Sequence, residues 1–202
     1  MRKYSSNLSF VDLLFNLLVG FTSLLVIAFL LINPIAEQGK IDPETKILIL
    51  VKWDDSSKVD IDTWVRGPSG RAVGFKRKDG NYIILERDDL GVNNDFYEVN
   101  GITIAVKRNM ESVNINALPA GEYVVNVHNY TTGTAFFNGH NEPIPVPVTV
   151  EIIQMKPFKV LYTANVELDF RQERTILSFE VDENEKVIDM RNDIYIPLYG
   201  DG

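Results

Sequence analysis

Residues 10–32 read FVDLLFNLLVGFTSLLVIAFLLI, and this run decides the first part of the fold. Its 23 residues would reach roughly 34 Å as a helix, enough for a hydrocarbon core of about 30 Å. The run is apolar except for a few small or polar residues. At about 100° per residue, Asp12, Asn16, Gly20 and Ser23 fall at about 0°, 40°, 80° and 20°. They form one stripe, interrupted by Val19 and continued by Ile27 and Leu30; Thr22 is the polar residue clearly off it. The opposite face carries Leu14, Leu17, Phe21, Leu25 and Ile32, suited to lipid or to an apolar protein surface. Membrane helices use stripes of small and polar residues to pack closely together. An ionisable group in such a helix is expensive and marks a functional position by default. Read plainly, the span begins at Leu13, Asp12 reaches the headgroups, and the stripe serves dimerisation alone.

Charge orients the span. Arg2 and Lys3 precede it, with no acidic residue before Asp12, whereas Glu37, Asp42 and Glu44 follow it with Lys40 and Lys46. The positive-inside rule places the N-terminus in the cytoplasm and the rest outside. A cleaved signal peptide is the competing reading. The run exceeds the usual h-region, contains Asp and Asn, and lacks an A-x-A-like site after it, all of which favour an uncleaved anchor. The expected organisation is a cytoplasmic tail at 1–9, a transmembrane helix at 10–33 and a linker at 34–45. A β-sandwich at 46–155 and a C-terminal β-hairpin extension at 156–202 complete it.

The stretch from Ser9 to Leu14, SFVDLL, behind a short basic tail and running into the apolar helix, resembles the ExbD/TolR and flagellar MotB subunits. The resemblance covers about residues 8–34. It implies a homodimeric B-type subunit whose paired helices sit inside a pentamer of a MotA/ExbB-like partner. Asp12 would then carry a proton or sodium ion, with Asn16, Gly20 and Ser23 facing the pathway. The chain departs from that family outside the span. It has no recognisable OmpA-like peptidoglycan-binding segment and no ExbD/TolR periplasmic domain.

The remainder reads as strands. Residues 46–53 (KILILVKW) are strongly apolar and 59–66 (VDIDTWVR) alternate; 81–86, 102–107, 122–129 and 146–154 continue the series. Turn signals separate them: Gly67-Pro68-Ser69-Gly70, Asp79-Gly80, Asn93-Asn94-Asp95, Pro119-Ala120-Gly121 and Thr131-Thr132-Gly133. This is the pattern of an all-β sandwich. The stretches DIDTWVRGPSG (60–70), LERDDLG (85–91) and LPAGEYVVNVH (118–128) resemble YfaP-like and pre-peptidase C-terminal modules. That resemblance implies an accessory binding or spacing domain. Beyond it, 157–169 and 173–182 read as a hairpin turning at Phe170-Arg171-Gln172, followed by short strands at 187–190 and 194–198. These segments extend the sandwich edge or pair with a second protomer.

Composition restricts function. After position 40 there are 17 basic and 26 acidic residues, a net charge of −9 that argues against nucleic acid or anionic lipid as a partner. The chain has no cysteine, which removes disulfides, Cys-ligated clusters and thiol catalysis. His128 and His140 lack zinc-site spacing and an evident nucleophile, and no phosphate loop is present, so no enzyme is expected. On 59–66, Val59, Ile61, Thr63 and Val65 point to one face and Asp60, Asp62 and Trp64 to the other. Asp60 and Asp62 with Asp88 and Asp89 make an oxygen-rich set of the kind Ca²⁺ takes. Without a D-x-D-x-D-G loop, four solvated or turn-capping acids are the simpler reading. Tyr123 reads as a packed corner residue.

The expected function is a proton- or sodium-driven motor subunit coupling ion flow to an outer domain that grips cell wall or protein. The alternatives are an anchored glycan- or protein-binding module, and a sensor or coupler in a motor-type defence or motility system.

Overall fold

The computed structural model describes residues 8–32, 44–91, 95–131 and 144–200. The chain divides into two compact units, Met1–Asp42 and Pro43–Gly202. In the first, α1 spans Leu8–Ile32, 25 residues against the 23 of the apolar run. Thr22 Oγ1 donates to the carbonyls of Leu18 and Val19, and Ser23 Oγ donates to that of Val19 at 2.8 Å. The helix thereby hides its hydroxyl protons internally, as an apolar surrounding requires. Its side chains from Leu8 to Phe29 are exposed. By length and composition α1 can cross a bilayer, a test that anchors and signal sequences both meet.

The second unit is all-β. In chain order the strands are β1 Ile47–Trp53, β2 Ile61–Arg66, β3 Ala72–Val73, β4 Ile83–Arg87, β5 Phe96–Val99 and β6 Ile102–Ala105. Then follow β7 Met110–Ile115, β8 Gly121–Asn129, β9 Val146–Gln154, β10 Lys159–Leu168, β11 Glu173–Val181 and β12 Val187–Arg191. Two five-stranded sheets have the orders β10-β9-β1-β7-β4 and β12-β11-β8-β2-β3, and β5-β6 is a separate hairpin. The pairings are antiparallel.

Period-2 alternation builds the core between the sheets. Ile47, Ile49, Val51 and Trp53 of β1 face inward, as do Val148, Val150 and Ile152 of β9. They meet Ile61 and Val65 of β2, Tyr123, Val125 and Val127 of β8, and Leu177 and Phe179 of β11. Tyr123 is the corner residue expected: it is buried, stacks on Phe179 with centroids 5.0 Å apart, and donates to the Pro119 carbonyl at 2.9 Å. That bond ties the start of β8 to the turn before it, as in the tyrosine corner of other sandwiches.

The C-terminal region is built differently from the expected hairpin. Segments 157–169 and 173–182 do form β10 and β11, with a turn between them, but β10 pairs with β9 and β11 with β8. The chain thus crosses from one sheet to the other at Asp169–Gln172. Leu177, Phe179 and Val181 belong to the central core, so 156–200 completes the sandwich and is no appendage. The segments thus extend both sheets, β10 as the edge beyond β9 and β11 beyond β8, the first of the two outcomes expected of them. Pairing in this way gives the backbone edges of β8 and β9 a hydrogen-bonded neighbour each, which a β10–β11 hairpin would not do for both.

The last segment, 194–198, is not a strand but an extended strap across the outer face of the second sheet. Leu198 packs with Trp64, Ala72 and Val124 in a second small core, with Phe75 and Ile196 beside it. Ile196 N donates to Thr175 Oγ1, Asn126 Nδ2 to the Ile196 carbonyl, and Leu198 N and Tyr199 N to Glu173 Oε1. Both faces of β2 are therefore buried.

Candidate functional site

Two places carry residues singled out from the sequence. On α1, Asp12, Asn16, Gly20 and Ser23 are helical and exposed. The 3.6-residue period keeps them on one side, and with the Ser23 proton bonded inside the helix, Asp12 and Asn16 remain the strongly polar side chains of that stripe.

The other place is the edge of β2. Strand β3 pairs only with Val65 and Arg66, so among the described residues the start of β2 has no strand partner on that side. The backbone N–H of Thr63 instead donates to Oε2 of Glu111, at 2.5 Å. Glu111 belongs to β7 of the opposite sheet, on the inward-facing positions shared by Val113 and Ile115. A carboxylate thus stands where an apolar core residue is normal, and it is fully buried.

Around it, Asp62, Asp88 and Glu111 each bring a carboxylate oxygen within 4.8 Å of the others. Asp62 is 2% exposed, and its Oδ2 lies 3.8 Å from Nδ1 of His128, the residue opposite it on β8. Asp88 is bonded to Lys78 Nζ at 2.7 Å. Oε1 of Glu111, Oδ2 of Asp62 and Oδ1 of Asp60 are buried with no hydrogen-bond partner among the described residues.

The four aspartates named from the sequence are therefore not ordinary solvated acids. Asp62 and Asp88 meet, joined by Glu111. Asp89 is fully buried and committed elsewhere: it accepts from Arg87 at 2.7 Å and from the Met110 N–H at 3.2 Å, tying the end of β4 to β7. Asp60 lies beside the group of three without completing it. Burial made the difference: Asp62 and Asp89 are buried and Asp60 and Asp88 half-buried, although alternation alone assigns Asp60 and Asp62 to a solvated face.

The electrostatics follow from this enclosure. Burial, and next the charge of Asp62, push the Glu111 carboxyl well above its usual range, while the Thr63 bond pulls it partly back. Burial also raises Asp62, with His128 opposing the shift. Asp60 is pushed up to about 7 by burial, then by Asp62, Asp88 and Asp89. Each of these groups resists ionising alone, and a cation bound among them would reverse that preference.

Glu111 was missed from the sequence because MESVNI lacks an apolar residue at that inward position and so does not read as a strand. The signal that remained was weaker: Glu111, Val113 and Ile115 at period two, with Ser112 and Asn114 between them.

A third feature had no sequence signal. His128, Tyr130, Arg171, Glu173, Tyr195, Pro197 and Tyr199 line an open cleft of about 600 Å³. His128 stacks on Tyr199 with centroids 4.3 Å apart. Residue His140 and the turns at 93–94 and 132–133 lie outside the described residues, as does the 34–43 part of the linker. No protein-family model, curated protein or solved structure matches the chain.

Proposed function

We propose that this chain is the B-type subunit of a proton- or sodium-driven membrane motor of the MotAB/ExbBD/TolQR kind, with a β-sandwich as its outer domain. The observation that carries the reading is Asp12, placed early in an apolar helix of 25 residues whose side chains have no protein cover up to Phe29. A bare carboxylate is poorly tolerated there, whereas one neutralised by a bound ion is compatible with apolar surroundings.

Magnitudes agree with an ion-carrying role. A central Asp costs about 2.5–3.5 kcal/mol on insertion scales, and less near the ends. One elementary charge crossing 100 mV releases about 2.3 kcal/mol. The terms are comparable, so a membrane potential is large enough to influence the charge state of a carboxylate in the span. In this reading two copies of α1 lie side by side within a pentameric MotA/ExbB-like ring. Their Asn16, Gly20 and Ser23 face protein, the N-terminus is cytoplasmic and the sandwich lies outside. The YfaP-like likeness makes the outer domain the part that grips cell wall or protein.

Asp12→Asn tests it, because Asn has nearly the same shape and cannot carry a proton. Expression, insertion and assembly should persist while activity dependent on the ion gradient disappears. Since the chain has no cysteine, Gly20→Cys and Ser23→Cys supply unique cross-linking positions, and disulfide-linked dimers should form in membranes. Full activity of Asp12→Asn would eliminate the motor reading. An anchored binding module would then replace it, and the cleft with Tyr130, Tyr195 and Tyr199 favours that second reading, since aromatic faces and polar tips together suit sugar or peptide contacts.

A further inference from the structure

We propose that Asp62, Asp88 and Glu111 bind a divalent cation of the Ca²⁺ class at the open edge of β2. The proposal stands on the outer domain alone and is independent of the role of Asp12.

Geometry comes first. The three carboxylate oxygens lie within 4.8 Å of one another. Ca²⁺ binds oxygen at about 2.3–2.6 Å, so ligands on opposite sides of it are about 4.6–5.2 Å apart and adjacent ones closer. One Ca²⁺ therefore reaches all three oxygens with little movement. Mg²⁺ demands shorter bonds in a stricter octahedron and gives up its water reluctantly, so it fits a set drawn from three separate elements less well. All the donors are oxygens and no thiol is present, which disfavours softer metals.

A second observation, independent of the clustering, points to a ligand. Glu111 is fully buried, yet its Oε1 has no hydrogen-bond partner among the described residues, and Oδ2 of Asp62, 2% exposed, meets His128 Nδ1 only at 3.8 Å, beyond hydrogen-bond reach. Buried polar atoms are nearly always satisfied, and an exception calls for a shared proton, a water or an ion. Charge also favours a divalent ion. The three ligand carboxylates carry three negative charges, of which the cation offsets two and Lys78, bonded to Asp88, one, with Asp60 a further acid beside them. Nearby, Asp89 is already neutralised by Arg87. Asp60 Oδ1 is available to accept from a cation-bound water, helping to fill the six to eight positions Ca²⁺ takes.

The position gives the ion a structural task. Glu111 comes from the first sheet and holds the Thr63 N–H of the second, while Asp88 follows β4. A cation joining them would clamp the two sheets where β2, paired with β8 on one side, has no described strand on the other.

The test uses the full chain in detergent, freed of metal with chelator and followed by thermal unfolding while Ca²⁺ or Mg²⁺ is added back. With Ca²⁺ about 100-fold above its Kd, the midpoint should rise by about 5–10 °C. Mg²⁺ at the same concentration should give the smaller rise. Tb³⁺ luminescence should report binding and be competed away by Ca²⁺. Glu111→Gln keeps an acceptor for the Thr63 N–H and Asp88→Asn alters the least buried ligand; each should fold without metal and lose most of the Ca²⁺ response. Failure of wild-type chain to bind Tb³⁺ or to respond to Ca²⁺ up to about 10 mM, beyond the range of extracellular Ca²⁺ modules, would overturn the proposal without recourse to any variant. A Ca²⁺ response that survives both substitutions would overturn it equally.

Discussion

Leu198→Ala tests whether the C-terminal strap belongs to the cooperative fold. Leu198 is fully buried against Trp64, Ala72 and Val124. Segments outside the strand ladders often open locally at low free energy. This one is held by the Thr175, Asn126 and Glu173 bonds, of which Asn126 to Ile196 and Leu198 to Glu173 are both 2.7 Å long. Those bonds stop the strap from collapsing into the space that a shortened side chain leaves. Truncating Leu to Ala in a packed site costs about 2–5 kcal/mol, and a held backbone places the expected loss at about 3 kcal/mol. A domain of this size loses about 2–4 °C per kcal/mol, so the midpoint should fall by about 6–12 °C. Calorimetry gives the midpoint, and tryptophan fluorescence gives a local readout, because Trp64 is fully buried beneath the strap. A fall below about 1 °C, with unfolding otherwise unchanged, would refute the reasoning: the strap would be opening locally before the domain unfolds.

Two further substitutions probe the same architecture. Gly74→Ala places a Cβ 2.6 Å from the Trp64 ring, which the strap prevents from moving aside, so overpacking should cost about 1–3 kcal/mol by urea denaturation; an unchanged midpoint would mean that the ring has room to shift. Tyr123→Phe removes the donor to Pro119 while keeping the stack on Phe179, and should cost about 1 kcal/mol with no loss of Trp64 burial. A larger loss would show that the turn before β8 depends on that bond for more than one hydrogen bond's worth of stability.

Local chemistry made several features legible in advance. The apolar run announced α1 because a helix is the economical way to satisfy every backbone amide of such a stretch internally. The strongly apolar run at 46–53 and the strand-rich segments 122–129 and 146–154, set between turn signals, announced β1, β8 and β9. Tyr123 was legible too, a tyrosine directly behind a Pro-Ala-Gly turn.

Where a residue's surroundings come from distant parts of the chain, the sequence was silent or misleading. Period two correctly put Asp62 and Trp64 on the face of β2 opposite Ile61 and Val65, but it did not tell that a strap from 194–198 would cover that face. Strands β10 and β11 are adjacent in sequence and looked like a hairpin. Their assignment to different sheets gives the backbone edges of β8 and β9 a hydrogen-bonded neighbour each. Glu111 is the sharpest case. Its charge broke the pattern that would have revealed β7, and its partners, Thr63, Asp62 and Asp88, lie at sequence distances that no local rule spans. Helices and single strands are set by interactions within a few residues, which a sequence displays directly. Burial of a carboxylate is set by which strands become neighbours, and that is decided only when the whole chain has closed around its core.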